Sequence, residues 1–170
     1  MGSGALTQAQ ADRTVEADVV NDAKGYLKLV LDHESLENTE YASYQNGQLT
    51  LRFDEQADQS NSGFAGEGEG LNPDTVFIFD NVFQIQNATG DDLKVAIDKS
   101  GLDNQDAFTF YAYHTNGNLI GDRTSDWNGQ VNAEFGVNIG IRIETPNDLA
   151  DGWESGEIVV TTTDESDENV

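Results

Sequence analysis

Apolar and polar residues alternate along most of this chain, and a period of two residues predicts β-strands. In the stretch QLTLRFD, residues 48–54, every second residue is apolar, and Asn46-Gly47 supplies a turn just before it. The same alternation recurs between turn-forming residues along the sequence. We expect strands at residues 14–20, 25–32, 48–54, 75–87, 93–98, 107–114, 131–145 and 156–163.

Short strands without a convincing helical segment favour an all-β fold, specifically an antiparallel jelly-roll-type β-sandwich with an extended N-terminal strand. We divide the chain into an N-terminal arm at residues 1–13, a sandwich domain at 14–163 and an acidic tail at 164–170. The stretch from Glu55 to Asp74 is rich in glycine and polar residues and too long for a simple hairpin, so it is predicted to be irregular.

Two of the predicted strands contain residues that interrupt a regular ladder. Asp80 and Asn81 lie in the middle of the apolar run 75–87 and predict a bend there. Gly136 and Gly140 predict bends, or a close approach of another part of the chain to the backbone.

The charge of the chain excludes two classes of partner. Its 170 residues carry 32 acidic and 8 basic side chains, a net charge of −24. Nucleic acid and anionic membrane surfaces need clustered lysine and arginine, so we expect neither as a partner. Scarce lysine and abundant aspartate are typical of a protein adapted to high salt, which screens carboxylate repulsion. An ordinary acidic secreted domain is the alternative source.

Motifs for catalysis are missing from the sequence, and we expect no enzyme. The chain has no cysteine, no H-E-x-x-H pair and no G-x-S-x-G elbow. His33 and His114 lie far apart and have no local pattern of metal ligands. No run of 18 apolar residues is present, so no transmembrane segment is predicted.

Calcium is the one cofactor that the composition leaves possible, because it takes hard oxygen ligands. The best candidate ligands are Asp103, Asn104 and Asp106, which lie together in a predicted loop. Their spacing does not match an EF-hand, and acidic loops are common in so acidic a chain. The alternative is therefore a solvated loop without a metal.

Two further features suggest a surface role. Asn87-Ala88-Thr89 is an N-glycosylation acceptor pattern in a predicted turn, so an exposed Asn87 is a candidate glycan site. Trp127 and Trp153 lie in loop-like contexts, where they could stack on sugar rings or cap one end of the core.

Three segments resemble a family of proteins secreted by haloarchaea. They are GSGALTQAQADRTVEADVVNDAKGYLKL, LNPDTVFIFDNVFQIQN and FGVNIGIRIET, although Leu6 stands where that family usually has phenylalanine. The family is of unknown function and is similar in layout to the camelysin and TasA-like secreted β-proteins. The resemblance implies a jelly roll, release from a signal peptide, an extracellular location and, in several relatives, filaments built by donor-strand exchange.

The N-terminal arm is the segment that would make such a filament. Residues 2–11 carry no charged side chain, and small residues dominate them. We expect the arm to pair with the sheet edge of a neighbouring copy and so to form a head-to-tail homopolymer. The donor-strand residues would be Gly2, Gly4, Ala5, Leu6, Ala9 and Ala11. The alternative is a monomeric secreted cell-surface module that binds calcium or carbohydrate.

Overall fold

The computed structural model describes residues 15–21, 26–45, 48–53, 74–102, 104–145 and 155–163. Within these ranges the chain forms strands joined by turns and by two short 3₁₀ turns, Thr39–Tyr41 and Gln105–Ala107. The strands are β1 Val15–Asn21, β2 Leu27–Val30, β3 Ala42–Gln45, β4 Gln48–Phe53, β5 Val76–Asn87, β6 Leu93–Leu102, β7 Phe108–His114, β8 Leu119–Ile120, β9 Asn128–Val131, β10 Gly136–Glu144 and β11 Ser155–Thr163.

The strands form two sheets. One sheet has six strands in the order β3-β4-β1-β11-β6-β9, and the other has five in the order β2-β5-β10-β7-β8. Strands β1 and β11 run parallel, and the other pairings between described strands are antiparallel. The predicted all-β sandwich is therefore confirmed, and the jelly-roll type of connection stays a prediction. In the described ranges, no helix is long and apolar enough to cross a membrane.

The core lies between the two sheets and is built by alternate residues of the strands, as the period of two predicts. From the five-stranded sheet, β5, β7 and β10 contribute most of the large side chains, while β4, β6 and β11 contribute from the other sheet. Strand β7 is buried at every position from Phe108 to Tyr113. Its second face is covered as well, and that cover is described with the site below.

One predicted strand is interrupted in the structure, and the predicted strand 93–98 extends to Leu102. The apolar run 131–145 is not continuous, because a tight turn follows Val131 and separates β9 from β10. In this turn the Phe135 amide donates to the Asn132 carbonyl (3.0 Å), and Glu134 has a φ of 65°. The two strands lie in different sheets. The short strands β3 and β8 were not predicted, since four or two residues are too few to show a period.

Aromatic side chains close one end of the sandwich. Tyr41 lies 4.5 Å from Phe79 and 5.5 Å from Phe53, and the rings of Phe53 and Phe79 are 4.9 Å apart, measured between centroids. Phe53 belongs to β4 and pairs with Val15, the first residue of β1. The start of β1 therefore lies at the same end of the sandwich as the start of β5.

Candidate functional site

The site begins with a bulge in the middle of β5, where the sequence predicted a bend. Phe79 pairs with Ile141 and Phe83 pairs with Ile139, so the three residues between Phe79 and Phe83 face Gly140 alone. Asn81, the middle one, has a φ of 54°, a conformation that asparagine tolerates better than most residues. The bulge confirms the predicted irregularity and turns Asp80 towards the outer face of the five-stranded sheet.

Asp80 is the centre of a polar cluster on this outer face. Its Oδ1 accepts hydrogen bonds from the hydroxyls of Tyr111 (2.6 Å) and Tyr113 (3.0 Å) on β7. Arg123, in the loop after β8, donates from Nε to Oδ1 (3.2 Å) and from Nη2 to Oδ2 (3.3 Å). The same Nη2 also donates to the Tyr113 hydroxyl. The Asp80 carboxylate thus connects β5, β7 and the loop after β8, and its ion pair with Arg123 is bidentate.

Stacking adds to the hydrogen bonds. The Arg123 guanidinium lies 5.8 Å from the centroid of the Tyr111 ring and 5.6 Å from that of Tyr113, within the range of a cation–π contact. Arg123 and the loop after β8 therefore cover the outer face of β7. This cover explains why Tyr111 is fully buried on the side of the sheet that the period predicts to be outside.

The protonation states in the cluster follow from these contacts. Burial would raise the pKa of Asp80, but the hydrogen bonds from Tyr111, Arg123 and Tyr113 outweigh it and hold that pKa below its usual value. Burial, followed by the hydrogen bond to Asp80, raises the pKa of Tyr111 and of Tyr113. The pair with Asp80 raises the pKa of Arg123. At neutral pH the cluster is therefore one carboxylate, one guanidinium and two neutral phenols.

A second polar network lies beside the first, between β5, β10 and the segment that follows β2. Asn138 Oδ1 accepts from Gln84 Nε2 (2.9 Å), and its Nδ2 donates to Asn81 Oδ1 (3.2 Å) and Ser35 Oγ (2.9 Å). The His33 Nδ1 lies 2.7 Å from the same Ser35 hydroxyl. Gln84, Asn138 and Asn81 are buried, and each has a partner, as buried amides require.

The segment after β2 also protects part of the edge of β5. The amides of Glu37 and Asn38 donate to the Asn81 carbonyl (3.1 and 3.2 Å), and Asn38 Nδ2 donates to the Asp80 carbonyl (2.5 Å). Strand β2 itself pairs with β5 only from Gln84 to Asn87. In the described parts of the chain, no strand pairs with residues 76–79 on this side.

The open stretch of β5 exposes apolar side chains. Val76 is 48% exposed and Ile78 is 50% exposed, although both lie in a strand. Their neighbours in β10 are Glu144 and Arg142, which form an ion pair with an N–O distance of 3.1 Å. An edge with unpaired backbone groups and apolar side chains is a place where another strand can add.

A groove of about 370 Å³ lies near the far edge of the same sheet, lined by His114, Ile120, Gly121, Asp122, Ser125, Asp126, Trp127, Asn128, Gly129 and Gln130. Its Asp126 carboxylate is already engaged with the Phe110 amide (3.0 Å) and with Lys99 Nζ (2.7 Å). Trp127 is buried and belongs to the core cluster. Of its two predicted roles, this position fits capping of the core. Trp153 lies outside the described residues.

The exposure predicted for Asn87 is wrong. Its side chain is 2% exposed, because its Nδ2 donates to the carbonyls of Asp91 (2.7 Å) and Val131 (3.0 Å). Its Oδ1 accepts from the amide and the hydroxyl of Thr89 (2.9 and 2.7 Å). Nδ2 is the atom that would carry a glycan, so the folded structure holds the acceptor atom inside the turn. Against the expectation from the sequence pattern, this geometry predicts an unmodified Asn87.

The other predicted site residues are not brought into one place. Of the calcium candidates, Asn104 and Asp106 are described at the 3₁₀ turn before β7, and Asp103 lies outside the described residues. Within the described ranges, no three acidic or histidine side chains are grouped to hold a metal ion. The donor-strand residues Gly2, Gly4, Ala5, Leu6, Ala9 and Ala11 all lie outside the described residues.

Sequence reasoning missed the Asp80 cluster. Asp80 was recognised as an interruption of a strand, but nothing in its neighbourhood identifies Arg123, 43 residues away, as its partner. A usable signal exists in β7, where Tyr111 and Tyr113 alternate with the core residues Phe110 and Ala112. Large aromatic residues on both faces of a strand indicate that both faces are covered.

Comparisons with known proteins add a family to this description. The model of a family described as protein of unknown function, DUF1102, matches residues 19–166, most of the chain. Among curated proteins, none matches.

Proposed function

We propose that this chain, which belongs to the DUF1102 family of proteins of unknown function, is an extracellular structural subunit that polymerises into a filament by donor-strand exchange. One observation carries the proposal. The first described strand, β1, begins at Val15 and is paired on both sides, with β4 and with β11. The N-terminal arm, residues 1–13, precedes this strand in the sequence, and in the proposal it serves a neighbouring subunit.

The composition of the arm fits pairing with another chain. A subunit with a net charge of −24 repels its copies, and a carboxylate buried in a groove without a partner costs several kcal/mol. Residues 2–11 avoid that cost, because they carry no charge. An arm of about 12 residues could form roughly 8 to 12 hydrogen bonds between chains, each contributing about 1 kcal/mol. Burial of Leu6 would add about 1.5 to 3 kcal/mol.

The contact would be head-to-tail. An arm that leaves one subunit and pairs with a different surface of the next does not close on itself, so the assembly grows as a fibre. The resemblance to haloarchaeal secreted proteins and TasA-like filament subunits supports this reading and an extracellular location. High salt would screen the repulsion between acidic subunits and favour growth.

The test removes the arm or places a charge in it. Deletion of residues 1–12 should leave a folded monomer that does not polymerise, and Leu6→Asp should do nearly the same. Asn116→Asp, an exposed position that keeps its acceptor oxygen, is the control that matches the charge. The measurements are negative-stain images, sedimentation and circular dichroism.

Two results would contradict the proposal. Filaments of unchanged repeat from the truncated protein would show that the arm is not the donor. A truncated chain that loses several kcal/mol of unfolding free energy would show that the arm completes its own domain.

A further inference from the structure

The open stretch of β5, residues 76–79, combines an edge that no described strand covers with two exposed apolar side chains. Its two outward side chains, Val76 and Ile78, are each about half exposed, while most other large aliphatic side chains of the sheets are buried or partly buried. Immediately after it, the Asn38 and Glu37 contacts cover the edge at Asp80 and Asn81. The coverage therefore stops just before residues 76–79.

The backbone of this stretch is ready to pair. The Thr145 amide donates to the Thr75 carbonyl (2.9 Å), so Thr75 points its carbonyl towards β10. Because hydrogen-bonding direction alternates along an antiparallel strand, the backbone groups of Val76 and Ile78 point away from β10. The Asp80 carbonyl follows the same alternation, since it accepts a hydrogen bond from Asn38 Nδ2 on the side away from β10. Val76 and Ile78 thus offer outward N–H and C=O groups to an incoming strand.

The position of β1 indicates which segment of a neighbouring copy could pair with residues 76–79. Val15 pairs with Phe53, and the Phe53 ring lies 4.9 Å from that of Phe79. The chain therefore enters β1 at the end of the sandwich where β5 begins. The fourteen residues before Val15 could span roughly 45 Å when extended, about three times the length of the four-residue stretch 76–79.

We infer that residues 76–79 of β5 are the acceptor edge for the N-terminal arm of a neighbouring copy. This inference rests on the proposed function and specifies where on the subunit the arm binds. The uncharged part of the arm, residues 2–11, can approach a strand whose side chains Val76 and Ile78 are apolar, and its own backbone would satisfy the outward groups there. The arm would extend the five-stranded sheet beside β5, next to the part of the edge that Asn38 and Glu37 cover. The N–H and C=O groups of Val76 and Ile78 would form about four of the interchain hydrogen bonds.

A proline at position 78 tests the acceptor without removing the arm. Ile78→Pro deletes an outward N–H, places the ring on the open edge and leaves the hydrogen bonds to β10 in place. Ile78→Val is the matched control, because it keeps the N–H and the β-branched shape. In the full chain, we expect Ile78→Pro to keep its far-ultraviolet spectrum and to lose at least tenfold in filament mass, while Ile78→Val assembles like the wild type.

Mixing two variants makes the test directional. Ile78→Pro keeps its arm but lacks an acceptor, whereas Leu6→Asp keeps the acceptor but has a defective arm. Neither should polymerise alone, and an equimolar mixture should give a 1:1 dimer by sedimentation and no fibre. Ile78→Pro added to wild type should shorten filaments in proportion to its fraction, because it adds by its arm and then stops growth.

The outcomes separate this inference from the proposed function. Filaments of normal length from Ile78→Pro, together with loss of filaments from Leu6→Asp, would overturn the acceptor edge and keep donor-strand exchange. That result would also follow if residues 54–73 or the chain's own arm occupied the edge. A wild-type protein that forms no filament under any salt condition would overturn the proposed function itself.

Discussion

The ring of Tyr111 lies directly over the backbone of Gly140. A Cβ on Gly140 would stand 2.8 Å from the Tyr111 hydroxyl oxygen and closer still to the ring carbons. The two residues face each other in paired strands, and the missing side chain gives the tyrosine room to reach Asp80. Gly140 was predicted to mark a bend or a close approach, and the structure confirms the close approach.

The first prediction concerns this contact. Gly140→Ala should lower the free energy of unfolding by about 1 to 3 kcal/mol, because the added methyl must displace a buried ring. Gly90→Ala is the control, since a Cβ at Gly90 meets nothing within 4 Å. Denaturant unfolding of both variants measures the difference. Equal stability of the two variants would show that the ring over Gly140 can move at little cost.

The second prediction concerns the acid stability of the Asp80 cluster. The pKa of Asp80 is lower in the folded chain than the usual value of about 3.9 expected when unfolded. Ionised Asp80 therefore stabilises the fold above that pH, and the stabilisation is lost as the pH falls through the lower folded value. Asp80→Asn should be about 1 to 2 kcal/mol less stable at pH 7.

The gap between Asp80→Asn and the wild type should narrow below about pH 4. Asp106→Asn, at an exposed position, matches the change in net charge and is the control. Unfolding curves from pH 3 to pH 8 provide the measurement. A gap that stays constant over this range would mean that Asp80 does not change its protonation on unfolding.

The third prediction concerns Asn87. Its amide satisfies two carbonyls and one amide of the turn, so Asn87→Ala should cost about 2 to 4 kcal/mol of unfolding free energy. Asn128→Ala, at an exposed position, should change stability by less than about 0.5 kcal/mol.

The same burial predicts that Asn87 is unmodified. The intact mass of native protein should show no glycan at this position, because Nδ2 is enclosed by the turn. A glycopeptide that contains Asn87 would show that modification precedes folding of this segment.

The fourth prediction concerns salt. The formal charge of −24 is screened over about 3 Å in molar salt and over about 10 Å at 0.1 M. Repulsion between carboxylates should therefore grow on dilution, and the melting temperature should fall. Calorimetry in potassium chloride between these limits measures the effect, with sucrose of equal osmolality as the control. A melting temperature that does not change with salt would remove the argument for a salt-adapted surface.

The sequence by itself determined the fold class and most of the strands. Side chains alternate across a strand, so apolar residues follow a period of two in the sequence. Examples are Leu49, Leu51 and Phe53, which the structure buries. The interruption at Asp80 and Asn81 was visible for the same reason, as was the small residue at Gly140. Each of these signals is local, and local geometry is what a single sequence encodes most directly.

Only the tertiary structure decided which residues contact one another. The run 131–145 reads as one strand until the turn at Glu134 separates Val131, the last residue of β9, from β10 in the other sheet. Asn87 reads as exposed until the Val131 carbonyl accepts a hydrogen bond from its amide. Arg123 reaches Asp80 because β8 returns its loop over β7. Among the described strands, none pairs with residues 76–79 on the side of β2, because β2 ends at Val30. These contacts depend on which segments the packing of two sheets brings together, and no local period records that.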